Sequence, residues 1–300
     1  SRRGAADHGG GRGRRVALSV TLPEGWPDGV RLIRFDLLDS TNEEARRLAA
    51  AGDSGPVWIT ARMQSKGRGR RGNAWISEPG NLFATLLLAA PHATAAQLGF
   101  AASLATADVV ASYAATTRVS LKWPNDVLLD HCKVAGILLE TAGPETVAIG
   151  IGINLAHHPE GTATPAISVK SATGRTIDPD DALVNLAARF AAWYGTWRSQ
   201  GFAGLKPHWL RRASGRRGPI RARLADREIK GVFEDLDHDG ALLLRSDAGL
   251  TRITAAEIFF PPPLAVEVAP PGPREARPED KLRAGGAADA VHSGKSGNSS

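Results

Sequence analysis

The sequence predicts an α+β fold in which a mixed, mainly antiparallel sheet is covered by helices and followed by a small C-terminal β-barrel. Three observations carry that expectation. Short apolar runs divided by Pro, Asp and Gly turns crowd residues 119–155, as antiparallel strands require. Long alanine-rich segments at 95–115 and 179–200 have the length of helices. Beyond residue 215 the texture changes to brief strands with a turn at Asp237-His238-Asp239-Gly240.

In chain order, residues 30–38 form an apolar, β-rich run that ends in Asp39-Ser40-Thr41-Asn42. Thr41 and Glu44 have capping-box spacing, so a helix should follow as far as residue 51. Residues 57–63 and 82–89 read as strands with a glycine-rich loop at 67–72 between them. Asp178-Pro179 is a helix start with proline in the first position, and a further helix should occupy about 205–212. The expected organisation is a leader at 1–29, a large domain at 30–213, a small β-domain at 215–262 and a flexible tail at 263–300.

Charge and cysteine usage exclude several classes. The formal charge is +6, but residues 1–15 alone carry five arginines against one acid. That Gly/Arg-rich leader has little to bury and reads as disordered, so only +2 is left for the rest and no folded basic face for DNA is expected. A transit peptide fits poorly, since five glycines in the first 13 residues oppose an amphipathic helix. No run reaches the roughly 18 uninterrupted apolar residues of a membrane span. Cys132 is the single cysteine and can form neither an internal disulfide nor a thiolate cluster, which suits a reducing cytoplasm. Cys132 and His131 are read as a turn without chemistry, and His157-His158 lack clustered partners for a metal.

Two segments carry chemistry. Gly67-Arg68-Gly69-Arg70-Arg71-Gly72 alternates residues that allow close backbone approach with forked cationic donors, the composition of a polyanion-binding loop. A solvated basic turn is the plain alternative. Lys122-Trp123-Pro124-Asn125-Asp126 is followed by Lys133-Val134-Ala135-Gly136. One lysine ends a strand and the other begins one, so both could enter one cleft and offset the repulsion between two anionic reactants. Asp126 could hold Mg²⁺ or orient a nucleophile; alternatively Lys122 and Asp126 form an ordinary turn salt bridge.

With Gln64 and Gly150-Ile151-Gly152-Ile153-Asn154 added, residues 40–154 resemble the catalytic domain of biotin protein ligases. The barrel resembles the SH3-like domain that follows it, so the likeness extends over about residues 30–260. The resemblance implies a class II synthetase-like fold and an enzyme that activates biotin with ATP as biotinyl-AMP. Biotin then passes to a lysine of a biotin carboxyl carrier protein or domain. Ser40, Thr41, Asn42 and Gln64 would line the biotin pocket with Gly67, Arg68, Arg70, Lys133 and Gly136. Hydroxyl and amide groups suit a neutral ureido ring, although Thr41 also fits a helix cap.

Arg68, Arg70, Arg71, Trp75, Lys122, Asn125 and Asn154 would contact ATP or the adenylate. Trp75 would cover the adenine unless it is a core residue, and Asn154 would reach the adenylate unless it merely finishes a strand. Lys133, Arg70, Lys122 and Asp126 would carry the reaction. Mg²⁺ enters with ATP, biotin is a substrate, and no tightly bound metal is expected. Asn73 departs from the basic residue frequent in the family at its position. A lipoate or octanoyl transferase lacks this combination of motifs. A DNA-binding repressor of the same family would need more than 29 low-complexity residues before the first strand. A silent biotin binder would fail to label a carrier. No DNA or membrane partner is expected, and a homodimer stays open.

Overall fold

The computed structural model describes residues 22–114, 119–162 and 164–260. The expected tail at 263–300 and most of the leader lie outside them. Residues 22–29, assigned above to the leader, pack against the molecule: Trp26 is buried and its indole N–H donates to Val30 O at 2.8 Å. One aromatic ring with a hydrogen-bond partner is enough to dock that short segment.

The large sheet contains β1 (Arg31–Leu38), β2 (Val57–Gln64), β3 (Leu82–Ala89), β4 (Val119–Lys122), β5 (Asp126–Leu129), β6 (Cys132–Gly143) and β7 (Thr146–Ile153). Its order is β1-β2-β3-β7-β6-β5-β4. Only β1 and β2 pair in parallel, with Arg31 opposite Val57; α1 (Thr41–Ala50) connects them. Every other pair is antiparallel. The sheet is therefore mixed and mainly antiparallel, as the turn-divided runs imply.

Period-two alternation decides which face each strand buries. On β7, Val147, Ile149, Ile151 and Ile153 enter the main core, while Ala148, Gly150 and Gly152 face the other way. On β3, Leu82, Ala84, Leu86 and Leu88 join the same core and Leu87 the smaller cluster around α1. The main core is closed by α2 (His92–Tyr113) and α4 (Pro179–Gln200). Trp193 Nε1 donates to Asp108 Oδ2 and Trp197 Nε1 to Gln97 Oε1, both at 2.8 Å, tying these helices together. In length and composition α2 could cross a membrane, but 67% of its apolar window is buried here, the use of a core helix.

Several local expectations shift. The α1 helix starts at Thr41 with Ser40 as its extended N-cap, and the Thr41–Glu44 capping box does not form. Instead the Thr41 amide donates to Gln64 Oε1 at 2.8 Å, so a side chain from β2 supplies what a local cap would. Asp178 does cap α4, accepting from Asp180 N at 2.8 Å. A short helix, α3 (Val169–Thr173), was not anticipated; α5 (Phe202–Arg212) begins earlier than expected because Gly201 at φ 63° lets the chain turn directly out of α4.

The C-terminal strands β8 (Pro219–Arg223), β9 (Glu228–Leu236), β10 (Leu242–Ser246), β11 (Gly249–Ile253) and β12 (Glu257–Phe259) form an antiparallel sheet in the order β11-β10-β9-β8-β12. The expected boundary near residue 214 does not divide two cores. Phe233, Leu236, Leu242 and Leu244 belong to the same cluster as Trp209 and Phe100. Trp123 Nε1 donates to Gly240 O at 3.0 Å across the junction, and a side chain at Gly240 would meet Phe100 at 2.4 Å.

Candidate active site

A cavity of about 570 Å³ opens between the β6–β7 face, the start of α1, the loop after β2 and the β12 edge. Its floor exists because the sequence places glycines at alternate positions of β7 and a third at Gly136 of β6. Gly136 lies opposite Gly152, and Leu138 opposite Gly150. A Cβ at Gly150 would lie 2.2 Å from Asn42 Oδ1, and one at Gly152 2.5 Å from the Trp75 indole. The glycines admit two side chains that close the cavity from opposite sides.

One end is lined by uncharged donors and acceptors. Ser40, Thr41 and Asn42 are buried at the β1–α1 turn. Gln64 Oε1 accepts from the Thr41 amide and its Nε2 donates to Ser77 Oγ at 2.9 Å. Thr85 Oγ1 lies 2.8 Å from Thr41 Oγ1 and 2.6 Å from Asn42 Oδ1, while Asn42 Nδ2 donates to Glu140 Oε2 at 2.8 Å. Each amide is thereby fixed in orientation.

The other end is cationic. Lys122 is only 6% exposed; its Nζ donates to Thr164 Oγ1 at 3.1 Å and faces the rings of Phe259 and Phe260 at 5.9 and 5.8 Å. Burial pushes its pKa below the usual lysine value and Lys133 adds to this, against Asp126 and Glu257. Lys133 Nζ sits 2.7 Å from Asp126 Oδ1 and over the Trp75 ring at 5.4 Å. Arg70 reaches in from the loop, with Nη1 3.3 Å from Asn125 Oδ1; burial, with Arg71 adding to it, lowers its pKa. The Lys122–Asp126 turn bridge, the alternative reading of these residues, does not form; Asp126 pairs with Lys133. Strand register alone would not give this, since β4 and β5 place Lys122 opposite Asp126; the Lys122 ammonium is instead taken by Thr164, and Lys133 reaches Asp126 from β6.

Most residues singled out from the sequence line this one cavity: Ser40, Thr41, Asn42, Gln64, Arg68, Arg70, Arg71, Trp75, Lys122, Asn125, Asp126, Lys133, Gly136 and Asn154. Gly67 is set behind the wall, where a Cβ would strike Ser77 Oγ and Trp75 O. Two of the asparagines brace backbone: Asn125 Nδ2 donates to Ile137 O at 2.8 Å, and Asn154 Nδ2 to Ile167 O at 3.2 Å. Trp75 Nε1 is buried without a protein partner, leaving one donor for a ligand. Among the described residues Asp126 belongs to no cluster of three metal-ligating side chains; the one such group is Asp237, His238 and Asp239, and Arg252 already binds both of those aspartates.

Sequence reasoning missed Thr85, Glu140, Thr164 and Glu257. A threonine inside the apolar run of β3 was a readable signal for the first. Glu257 lies on β12 and meets the cavity only through the packing of the C-terminal sheet. An uncharged binding end joined to a cluster of three cations fits a neutral ring system whose anionic tail meets a phosphate.

Residues 35–155 match the biotin/lipoate A/B protein ligase family, and residues 218–260 match the biotin protein ligase C-terminal domain. The chain is 46% identical over 234 residues to a biotin–[acetyl-CoA-carboxylase] ligase of Paracoccus denitrificans, covering 74% of this chain and 97% of that protein. It is 32% identical over 241 residues to a bifunctional ligase/repressor of Bacillus subtilis, covering 77% and 74%. Among solved structures, a biotin protein ligase from Aquifex aeolicus in complex with biotin and ATP matches with a TM-score of 0.68 at 27% identity, covering 76% of this chain and 97% of that one.

Proposed function

Because the chain belongs to the biotin protein ligase family, we propose that it joins biotin to a lysine of a biotin carboxyl carrier domain through a biotinyl-AMP intermediate. The observation that carries this reading is the two-ended cavity. Hydroxyl and amide groups of Ser40, Thr41, Asn42 and Gln64 receive the ureido ring, and Lys122, Lys133 and Arg70 gather where the biotin carboxylate meets the α-phosphate of ATP.

In the first step a carboxylate oxygen attacks the α-phosphorus, a C–O–P anhydride forms, and the bond to pyrophosphate breaks. The cations offset repulsion between the two anions and neutralise charge on the departing pyrophosphate. Mg²⁺ arrives with ATP as part of the substrate. Lys133, held by Asp126, serves the carboxylate and the anhydride; Lys122 serves the phosphates. Trp75 covers the adenine with its ring face. In the second step the neutral amine of the carrier lysine attacks the acyl carbon, AMP leaves with the bonding pair, and the amine proton is lost, with Asp126, a carboxylate lining the cavity, placed to take it. Neither step needs a covalent bond to the protein, so positioning and exclusion of water supply the catalysis.

The proposal includes no transcriptional role and a reducing cytoplasmic setting, on the grounds of the small net charge outside the leader and the single cysteine. The test combines the full chain with ATP, Mg²⁺, biotin and a carrier domain. A biotinyl mass increase on the acceptor lysine is expected, and none with lipoate. No labelling, or equal labelling by lipoate, rejects the reading.

A further inference from the structure

The loop between β2 and β3 offers three arginines to three different supports. Arg71 lies 3.9 Å from Glu257 and Arg70 lies 3.3 Å from Asn125. Arg68 makes the closest of these contacts, through Nη2 to Glu43 Oε1 in the first turn of α1, with Glu140 Oε2 at 4.0 Å. Arg46 lies between the two carboxylates, 3.0 Å from Glu43 and 2.9 Å from Glu140, and keeps them together without mutual repulsion. Glu140 in turn accepts from Asn42 Nδ2 at 2.8 Å, and Asn42 lines the neutral end of the cavity.

We propose that Glu43 is a positioning residue that latches the Gly/Arg loop shut over the cavity through Arg68, and so governs how long the adenylate is retained. The second half of this statement rests on the ligase reading above; the first half does not. Arg68 lines the cavity, but its guanidinium is engaged by Glu43 in the first turn of α1, so its charge acts on the loop. The pair is partly solvated, with side chains 38% and 31% exposed, which makes it a weak and reversible tether. A loop that must open for each substrate and product requires such a tether. The connection through Arg46 and Glu140 to Asn42 gives the latch and the pocket wall a shared set of hydrogen bonds.

The loop carries tryptic sites at Lys66, Arg68, Arg70 and Arg71, and cleavage after Arg70 and Arg71, which every variant keeps, reads its opening without any ligand. Glu43→Gln in the full chain is expected to speed cleavage there about two- to fivefold, the range for an exposed pair. Arg68→Gln should match it, and the double variant should be no faster than either single one. Glu43→Asp keeps the charge at the helix N-terminus but shortens its reach, so it should behave like Glu43→Gln, whereas a mere helix-dipole effect would be spared. With biotin and ATP, release of biotinyl-AMP from Glu43→Gln should accelerate by the same factor. Unchanged cleavage, or additive effects in the double variant, overturns the latch. Faster cleavage with unchanged adenylate release overturns its control of retention. A protein that forms no adenylate at all fails the ligase reading, while the proteolysis still decides the latch.

Discussion

Lys122 and Lys133 share one cavity but differ in electrostatic surroundings, and the difference assigns them separate tests. Lys133 has a carboxylate partner in Asp126. Lys133→Ala should therefore lower biotin-dependent pyrophosphate exchange by about 10²- to 10³-fold, and should also lower the melting temperature by leaving the Asp126 carboxylate unpaired. Adding Asp126→Asn should restore the melting temperature without restoring exchange; recovery of both would make Lys133 structural. Lys122 has Thr164 and two aromatic rings as neighbours, and burial holds its pKa below the usual 10.5. In the proposed role, its charged form is the one that would bind phosphate. As pH rises through that lowered pKa, kcat/KM for ATP should fall, earlier than for an ordinary lysine. Lys122→Arg stays charged over the same range and should flatten the profile. A wild-type profile indistinguishable from that of Lys122→Arg would remove Lys122 from the phosphate site.

At the scale of elements, β7 shows how one strand serves core and cavity together. Its isoleucines fill the main core, and the glycines between them leave room for Asn42 and Trp75. Gly150→Ala adds a single methyl group where Asn42 Oδ1 stands 2.2 Å away. Asn42 is fixed by Thr85 and Glu140, so it cannot retreat without breaking those bonds. KM for biotin should rise about tenfold or more, with the ATP affinity of the other end little changed. Equal losses for both substrates would show instead that the strand itself had been distorted. The alternation of small residues with isoleucine was legible in the sequence. Thr41 was not: its local spacing suggests a cap, and only the arrival of Gln64 from β2 reassigns its amide and hydroxyl.

Across the whole molecule, the C-terminal sheet is part of the core that supports the cavity. Phe233 is 1% exposed and packs 6.5 Å from the Trp209 ring, on a helix that also contacts Phe100 of α2. Phe233→Ala should cost about 3–5 kcal/mol and lower the melting midpoint by on the order of 10 °C, with one cooperative transition retained. Two resolved transitions would mean that the small sheet unfolds by itself. The same packing brings Glu257 to the cavity and places Arg71 near it.

Composition, periodicity and motif order determined the α+β class, most of the helix and strand order, the cationic character of the Gly/Arg loop and the grouping of two lysines with an asparagine and an aspartate. Those features are local, since a strand alternates with period two and a glycine permits close approach whatever lies elsewhere in the chain. Tertiary structure alone decided that Asp126 belongs to Lys133, that Asn125 and Asn154 brace backbone, that Arg68 turns to Glu43, and that β12 closes one side of the cavity. Each of these depends on which groups meet across many residues of separation. That choice is made by sheet register and core packing, and no window of neighbouring residues encodes it.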